Sequence, residues 1–130
     1  RKAIIEYHGA SSTDRYCISF DNASYVNFEG ITLTGLGAFA SGVLFYNNSH
    51  HNSVRKVFFN FKDYATQTTN VAIAFSNDLK NSFSSRNGSY NLIDSNEFIG
   101  SYYGVRLFGA VGFGCRGNVL SNNTFNRITN

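Results

Sequence analysis

Two octapeptides 27 residues apart set the strongest limit on how this chain can fold. Asn91 to Phe98 reads Asn-Leu-Ile-Asp-Ser-Asn-Glu-Phe, and Asn118 to Phe125 reads Asn-Val-Leu-Ser-Asn-Asn-Thr-Phe. Both give Asn, two apolar residues, two polar residues, Asn, a polar residue and Phe. Looser copies lie upstream at Asn52 to Phe59 and at Val26 to Leu33. Aligning the four places Phe28, Val54, Ile93 and Leu120 in one set, and Leu33, Phe59, Phe98 and Phe125 in another. A repeat of this length means a stack of similar units, because one unit cannot bury its apolar face alone.

A second element precedes each copy. It begins at Cys17, Gly42, Ala72 and Gly104, and aligns Ile18, Val43, Ile73 and Val105, then Phe20, Phe45, Phe75 and Leu107. Each unit is therefore a strand, a turn or loop, a second strand, an Asn-containing bend and a third strand. The strands are short and alternate inside with outside. Phe, Tyr, Ile and Val suit pleated strands, whereas Asn and Gly suit tight turns. No stretch carries helical three-four spacing.

Stacking such units pairs every strand with its copy in the next coil, about 4.8 Å away. The expected fold is all-β, a right-handed parallel β-helix of about four coils. The chain, 1–130, reads as one unit excerpted from a longer solenoid, with further solenoid expected at both ends. The third coil carries a loop insertion between Phe75 and Asn91. Phe59, Phe98 and Phe125 are expected to stack inside. Asn96 and Asn123 are expected at a bend, where Asn accepts a left-handed φ and its amide can bond backbone or a neighbouring amide. An antiparallel sandwich also has recurring strands, but it does not explain near-identical octapeptides at a fixed offset. Leucine-rich repeats are excluded by too little Leu at the required spacing.

These residues resemble a known family. The runs 16–35, 46–60, 89–109 and 117–126 resemble the right-handed β-helix repeat family, a superfamily that includes pectate-lyase-like proteins and large secreted surface proteins of bacteria. The wording of Asn48 to Val54 and of Asn91 to Phe98 is most similar to secreted proteins of Bacteroidetes-type bacteria. The resemblance implies an extracellular or cell-surface location. For an enzyme of this group it implies acidic calcium ligands with a basic residue as proton acceptor. The repeat encodes core and bends rather than chemistry.

Candidate residues come from the outward positions. Glu29, Arg55, Asp94 and Ser121 each follow an aligned apolar residue and should form one exposed column, a charge ladder or a polar catalytic strip. Asp94 and Glu97 flank the Asn96 bend as the only close carboxylate pair, so Asp94, Glu97 and Arg55 are the candidate catalytic groups. Two carboxylates are too few for a calcium site, which takes six or more oxygens. Calcium is expected only under a lyase reading, and no other cofactor is expected. Phe58, Tyr102, Tyr103, Phe108 and Phe113 should lie outward or in loops, and with Arg106 they could stack on sugar rings. Among them Phe58, Tyr102, Tyr103 and Arg106 are the candidate carbohydrate-binding residues.

Other signals are weaker. His50 and His51 adjoin in a turn, where neighbours do not ordinarily face one metal, and His8 stands alone; no metal site is expected. Gly109, Gly112, Gly114 and Gly117 imitate a phosphate loop, but no strand-to-helix context follows them. Basic residues are scattered at a net charge of +3, which argues against nucleic acid. No apolar run approaches a membrane span. Cys17 and Cys115, three coils apart by this alignment, are too distant to form a disulfide. The sequons at Asn22, Asn47, Asn87 and Asn122 follow from an Asn-rich chain. Two functions stay open: a non-catalytic solenoid segment that displays loops and binds glycans, or part of a polysaccharide lyase or glycosidase.

Overall fold

The computed structural model describes residues 2–61, 68, 70–78, 88–109 and 115–129. They form a parallel β-solenoid of about four turns. An opening strand β1 (Ile4–His8) precedes the first turn, built from β2 (Tyr16–Asp21), β3 (Asn27–Glu29) and β4 (Thr32–Leu36). The second turn is β5 (Ser41–Tyr46), β6 (Ser53–Arg55) and β7 (Phe58–Asn60). The third is β8 (Val71–Phe75), β9 (Leu92–Asp94) and β10 (Glu97–Ile99). The fourth is β11 (Tyr103–Leu107), β12 (Val119–Ser121) and β13 (Thr124–Asn126).

Three parallel sheets run along the stack. Their orders are β1-β4-β7-β10-β13, β2-β5-β8-β11 and β3-β6-β9-β12. The register reproduces the sequence alignment. Phe28 pairs with Val54, Val54 with Ile93, and Ile93 with Leu120. Leu33 pairs with Phe59, Phe59 with Phe98, and Phe98 with Phe125. The middle of the expected insertion, 79–87, and Phe113 lie outside the described residues.

Two aromatic rows fill the interior. Phe59, Phe98 and Phe125 stack at centroid separations of 4.8 Å each. Phe20, Phe45 and Phe75 stack at 4.9 and 4.5 Å. Small residues opposite the first row make room for it. A Cβ on Gly42 would sit 3.0 Å from the Phe59 ring, and one on Gly104 would lie 2.5 Å from the Phe125 ring. The alternation of small and large residues between facing strands is therefore a packing requirement of the stacked rings.

Polar corners tie one turn to the next. At the corner before the β3 sheet, Asn52 Oδ1 accepts Val26 N–H at 3.0 Å, and its Nδ2 donates to Ala23 O at 2.9 Å. Asn91 Oδ1 accepts Asn52 N–H at 2.9 Å and Asn52 Nδ2 at 3.2 Å. Asn118 Oδ1 does the same for Asn91, at 2.8 and 3.2 Å. At the next corner Asn96 Oδ1 accepts Val57 N–H, and Asn123 Oδ1 accepts both Asn96 N–H and Asn96 Nδ2, each at 3.0 Å. Asn52, Asn91 and Asn96 are buried. Asn96 and Asn123 do not take the left-handed φ expected of them. The residues one place earlier do: Gly30, Lys56, Ser95 and Asn122, with φ between 52° and 77°. The residue after each left-handed position points inward instead: Ile31 and Val57 join the core there, and Asn96 and Asn123 set their carboxamides against the backbone of the neighbouring turns.

Both cysteines are free, with Cys17 in β2 and Cys115 in a half-buried loop position. Burial pushes both thiols above their ordinary pKa. Thiol titration in denaturant without reductant should count two.

Phe98 is fully buried between Phe59 and Phe125. Phe98→Ala should cost about 3–5 kcal/mol in denaturant unfolding, because it opens a cavity within a stacked row. Phe125 is 47% exposed, so Phe125→Ala should cost distinctly less. Equal costs would contradict the inward assignment of Phe98.

Candidate functional site

The outer face of the five-stranded sheet carries the residues that alternate with the inward row. One column is Thr32, Phe58, Glu97 and Thr124; the other is Thr34, Asn60, Ile99 and Asn126. Between them lies an open groove of about 560 Å³ lined by Phe58, Asn60, Ile99, Asn126 and Arg127. Its floor is an aromatic ring and an aliphatic side chain. Its polar groups are two carboxamides and a guanidinium. Arg127 sits at φ 52°, just past β13. Neutral amides that both donate and accept, set beside an apolar face, match a ligand with many hydroxyls and a non-polar ring face. Glu97 is exposed, and its register neighbours are Phe58 and Thr124.

The sheet register sets Phe58 beside Glu97, two residues the sequence reading had placed in separate sites, and of the two only Phe58 lines the groove. It leaves Asp94 and Arg55 elsewhere, on the sheet β3-β6-β9-β12. There Glu29, Arg55, Asp94 and Ser121 do form one column. Asp94 is not on the open surface as expected; it is 8% exposed. Its Oδ1 accepts Ser121 Oγ at 2.7 Å and Asn122 Nδ2 at 2.9 Å, and its Oδ2 accepts Ser95 Oγ at 3.1 Å and Arg55 Nε at 3.4 Å. Glu29 pairs with Lys56 at 2.7 Å rather than with Arg55 across the column. The hydrogen bonds from Ser121 and then Asn122 hold the Asp94 carboxyl down at about 2. A carboxylate so satisfied is a poor proton acceptor and has little lone-pair capacity left for an ion. Its evident work is to clip the fourth-turn corner onto the third.

The other expected sugar-stacking residues have separate fates. Leu44, Val71 and Ala74 form a second apolar cluster, and Tyr16, Tyr46 and Tyr103 pack on it. Tyr103 thereby serves packing. The Arg106 guanidinium lies over its ring at 4.6 Å, and Arg106 is 8% exposed rather than open to solvent. Tyr102 is half-exposed and meets Tyr103 edge to face at 4.9 Å. Phe108 is 43% exposed.

A further column was not read from the sequence. Tyr25, His51 and Tyr90 occupy equivalent corners of successive turns, and each has φ between 56° and 61°. Their rings stack at 5.1 Å and 20° for both steps. Gly117 follows at the same corner with φ 61°, against the Tyr90 ring. A positive φ is uncommon for aromatic residues, so hydrophobic alternation offered no sign of it.

Among the described residues no group of three or more His, Cys, Asp or Glu side chains gathers to hold a metal, and no helix is long and apolar enough to cross a membrane. No family model, curated protein or solved structure matches this chain.

The Asp94 carboxyl falls from an ordinary 3.8 to about 2 in the folded chain. A depressed folded value means that its stabilisation is complete above the ordinary value and is lost as pH falls toward the folded one. Melting temperature should therefore drop between about pH 5 and about pH 2, and Asp94→Asn should flatten that drop. Parallel curves for the two proteins would rule out this carboxylate as a source of acid sensitivity.

Proposed function

We propose that this chain is a stretch of right-handed parallel β-helix from a secreted or cell-surface protein, and that it binds carbohydrate without cleaving it. The observation that carries the reading is the groove over β7, β10 and β13, where Phe58, Asn60, Ile99, Asn126 and Arg127 converge on one open face. The right-handed sense is supported by the strong preference of parallel crossover connections.

A pyranose would lay its C–H face on Phe58 and Ile99. Its hydroxyls would meet Asn60 and Asn126, and Arg127 would take a hydroxyl or a sugar carboxylate. Tyr102, half-exposed beyond β10, is a second stacking residue in this reading. The non-catalytic half of the proposal is supported by the acidic groups. Asp94 is saturated by four donors, and Glu97 has no carboxylate as a register neighbour. Glycoside hydrolysis ordinarily needs two carboxyl groups flanking the bond. The partner in this reading is a glycan.

The test is glycan binding measured with neutral and acidic oligosaccharides, together with absorbance of unsaturated products in the presence of calcium. Phe58→Ala and Asn126→Ala should each weaken binding roughly tenfold, about 1.4 kcal/mol, while melting near wild type. Tyr103→Ala should lower the melting temperature through lost packing. Product release that disappears in Glu97→Gln would overturn the non-catalytic reading. Undiminished binding by both groove variants would overturn the site.

A further inference from the structure

The corner ahead of β6 holds two histidines in an arrangement that neighbouring residues rarely reach. Successive side chains of an extended chain point to opposite sides. His51 takes φ 56°, which breaks that alternation and turns its ring back beside that of His50. The rings meet edge to face, with centroids 5.2 Å apart at 86°. Their Nδ1 atoms are 3.0 Å apart.

We propose that His50 and His51 form a two-nitrogen binding site for a divalent transition-metal ion, Cu²⁺ foremost. Two imidazole nitrogens bound at about 2.0–2.1 Å, with an angle between 90° and 109° at the ion, stand about 2.9–3.3 Å apart. The observed Nδ1 separation falls in that range. Imidazole donors favour copper, zinc and nickel over calcium and magnesium, and the Irving–Williams order puts Cu²⁺ first.

The pair is also held in place. His51 is stacked between Tyr25 and Tyr90 at 5.1 Å on each side, and Tyr25 meets His50 edge-on at 6.2 Å. His50 N–H donates to Ala23 O at 3.0 Å, and His51 N–H donates to Ser89 O at 3.1 Å. The backbone of both residues and the ring of His51 are therefore ordered before the ion arrives, and that part of the usual cost of binding is already met. Without an ion, one Nδ1 carries a proton and donates to the other. On binding, that proton moves to Nε2 of the same ring, and the His50 ring rotates so that both Nδ1 lone pairs reach the ion. No third His, Cys, Asp or Glu joins the pair among the described residues, so water completes the coordination and the ion exchanges readily. The site lies at a corner, away from the sheet face that carries the groove, and stands independently of the carbohydrate reading.

The chain has no Trp, so its near-ultraviolet emission comes from tyrosine, and Tyr25 and Tyr90 flank the site. Titration with copper(II) sulfate near neutral pH, with glycine as a weak competitor, should quench tyrosine emission at one equivalent. The electron paramagnetic resonance spectrum should show hyperfine coupling to two nitrogens. His50→Ala and His51→Asn, the latter chosen because Asn accepts the left-handed φ, should each lower affinity at least roughly tenfold and reduce the coupling to one nitrogen. Their melting temperatures report whether the corner is intact. His8→Ala should change neither affinity nor spectrum. Absence of stoichiometric binding would overturn the site. So would wild-type affinity and spectrum in the folded His50→Ala and His51→Asn variants, or an equal loss in His8→Ala.

Discussion

Asparagines at the corners tie the turns of this solenoid together from the second turn onward. A corner bends the chain out of the sheet and leaves backbone groups that no ladder satisfies. Asn52 and Asn96 each accept a backbone N–H of the preceding turn and donate to a carbonyl there. Each then donates, through backbone and side-chain amide, to the asparagine above it. A buried group left without a partner costs about 1–3 kcal/mol, so an apolar residue here would orphan several groups at once. At Asn52, Asn91 and Asn96 a side chain that donates and accepts at one length closes the corner, whereas Ile31 and Val57 fill the corner below Asn96 with apolar side chains. The carboxamide bonds hold the later turns in step, and with them the row of Phe59, Phe98 and Phe125 inside.

Once the corners are closed, the two faces of each strand are separated for different uses. Inward residues make the stacked rows and the facing small positions at Gly42 and Gly104. Outward residues are released from packing, and there the surfaces diverge. The sheet β2-β5-β8-β11 covers its outer face with Tyr16, Tyr46 and Tyr103 on Leu44, Val71 and Ala74. The sheet β3-β6-β9-β12 uses its outer charges to bind corner to strand through Asp94. The five-stranded sheet leaves an open groove. One repeat thus yields three different outer surfaces, and the groove on the last sets apolar side chains beside carboxamides and a guanidinium.

The left-handed corners explain why exposed aromatics gather where they do. Tyr25, His51 and Tyr90 adopt a φ that places their rings outside the barrel, in line along its axis. Stacking between turns offsets the strain of that backbone. The same geometry folds His51 back onto His50. A corner selected for turn-to-turn contact can therefore present convergent nitrogens that a strand would have pointed apart.

The strand columns and the inward aromatic rows were legible from the sequence because β alternation is local and the repeat carries its own register. Phe28 with Val54, and Phe98 with Phe125, needed nothing beyond the spacing of the octapeptides. The two unpaired cysteines followed from the same counting. The outer surfaces were not legible in the same way. Spacing places Asp94, Tyr103 and Arg106 outside the barrel, and they are outside, but it is silent on what lies over them. Asp94 is enclosed by Ser121 and Asn122 from the next turn, and Arg106 lies across Tyr103. The meeting of Phe58 with Asn126 and Arg127 joins residues more than sixty positions apart. Period alone set which strand residues share a column, whereas the corner column of Tyr25, His51 and Tyr90 depends on a left-handed backbone that period does not encode. Tertiary structure decided which outward columns remain open, because exposure depends on neighbours contributed by other turns.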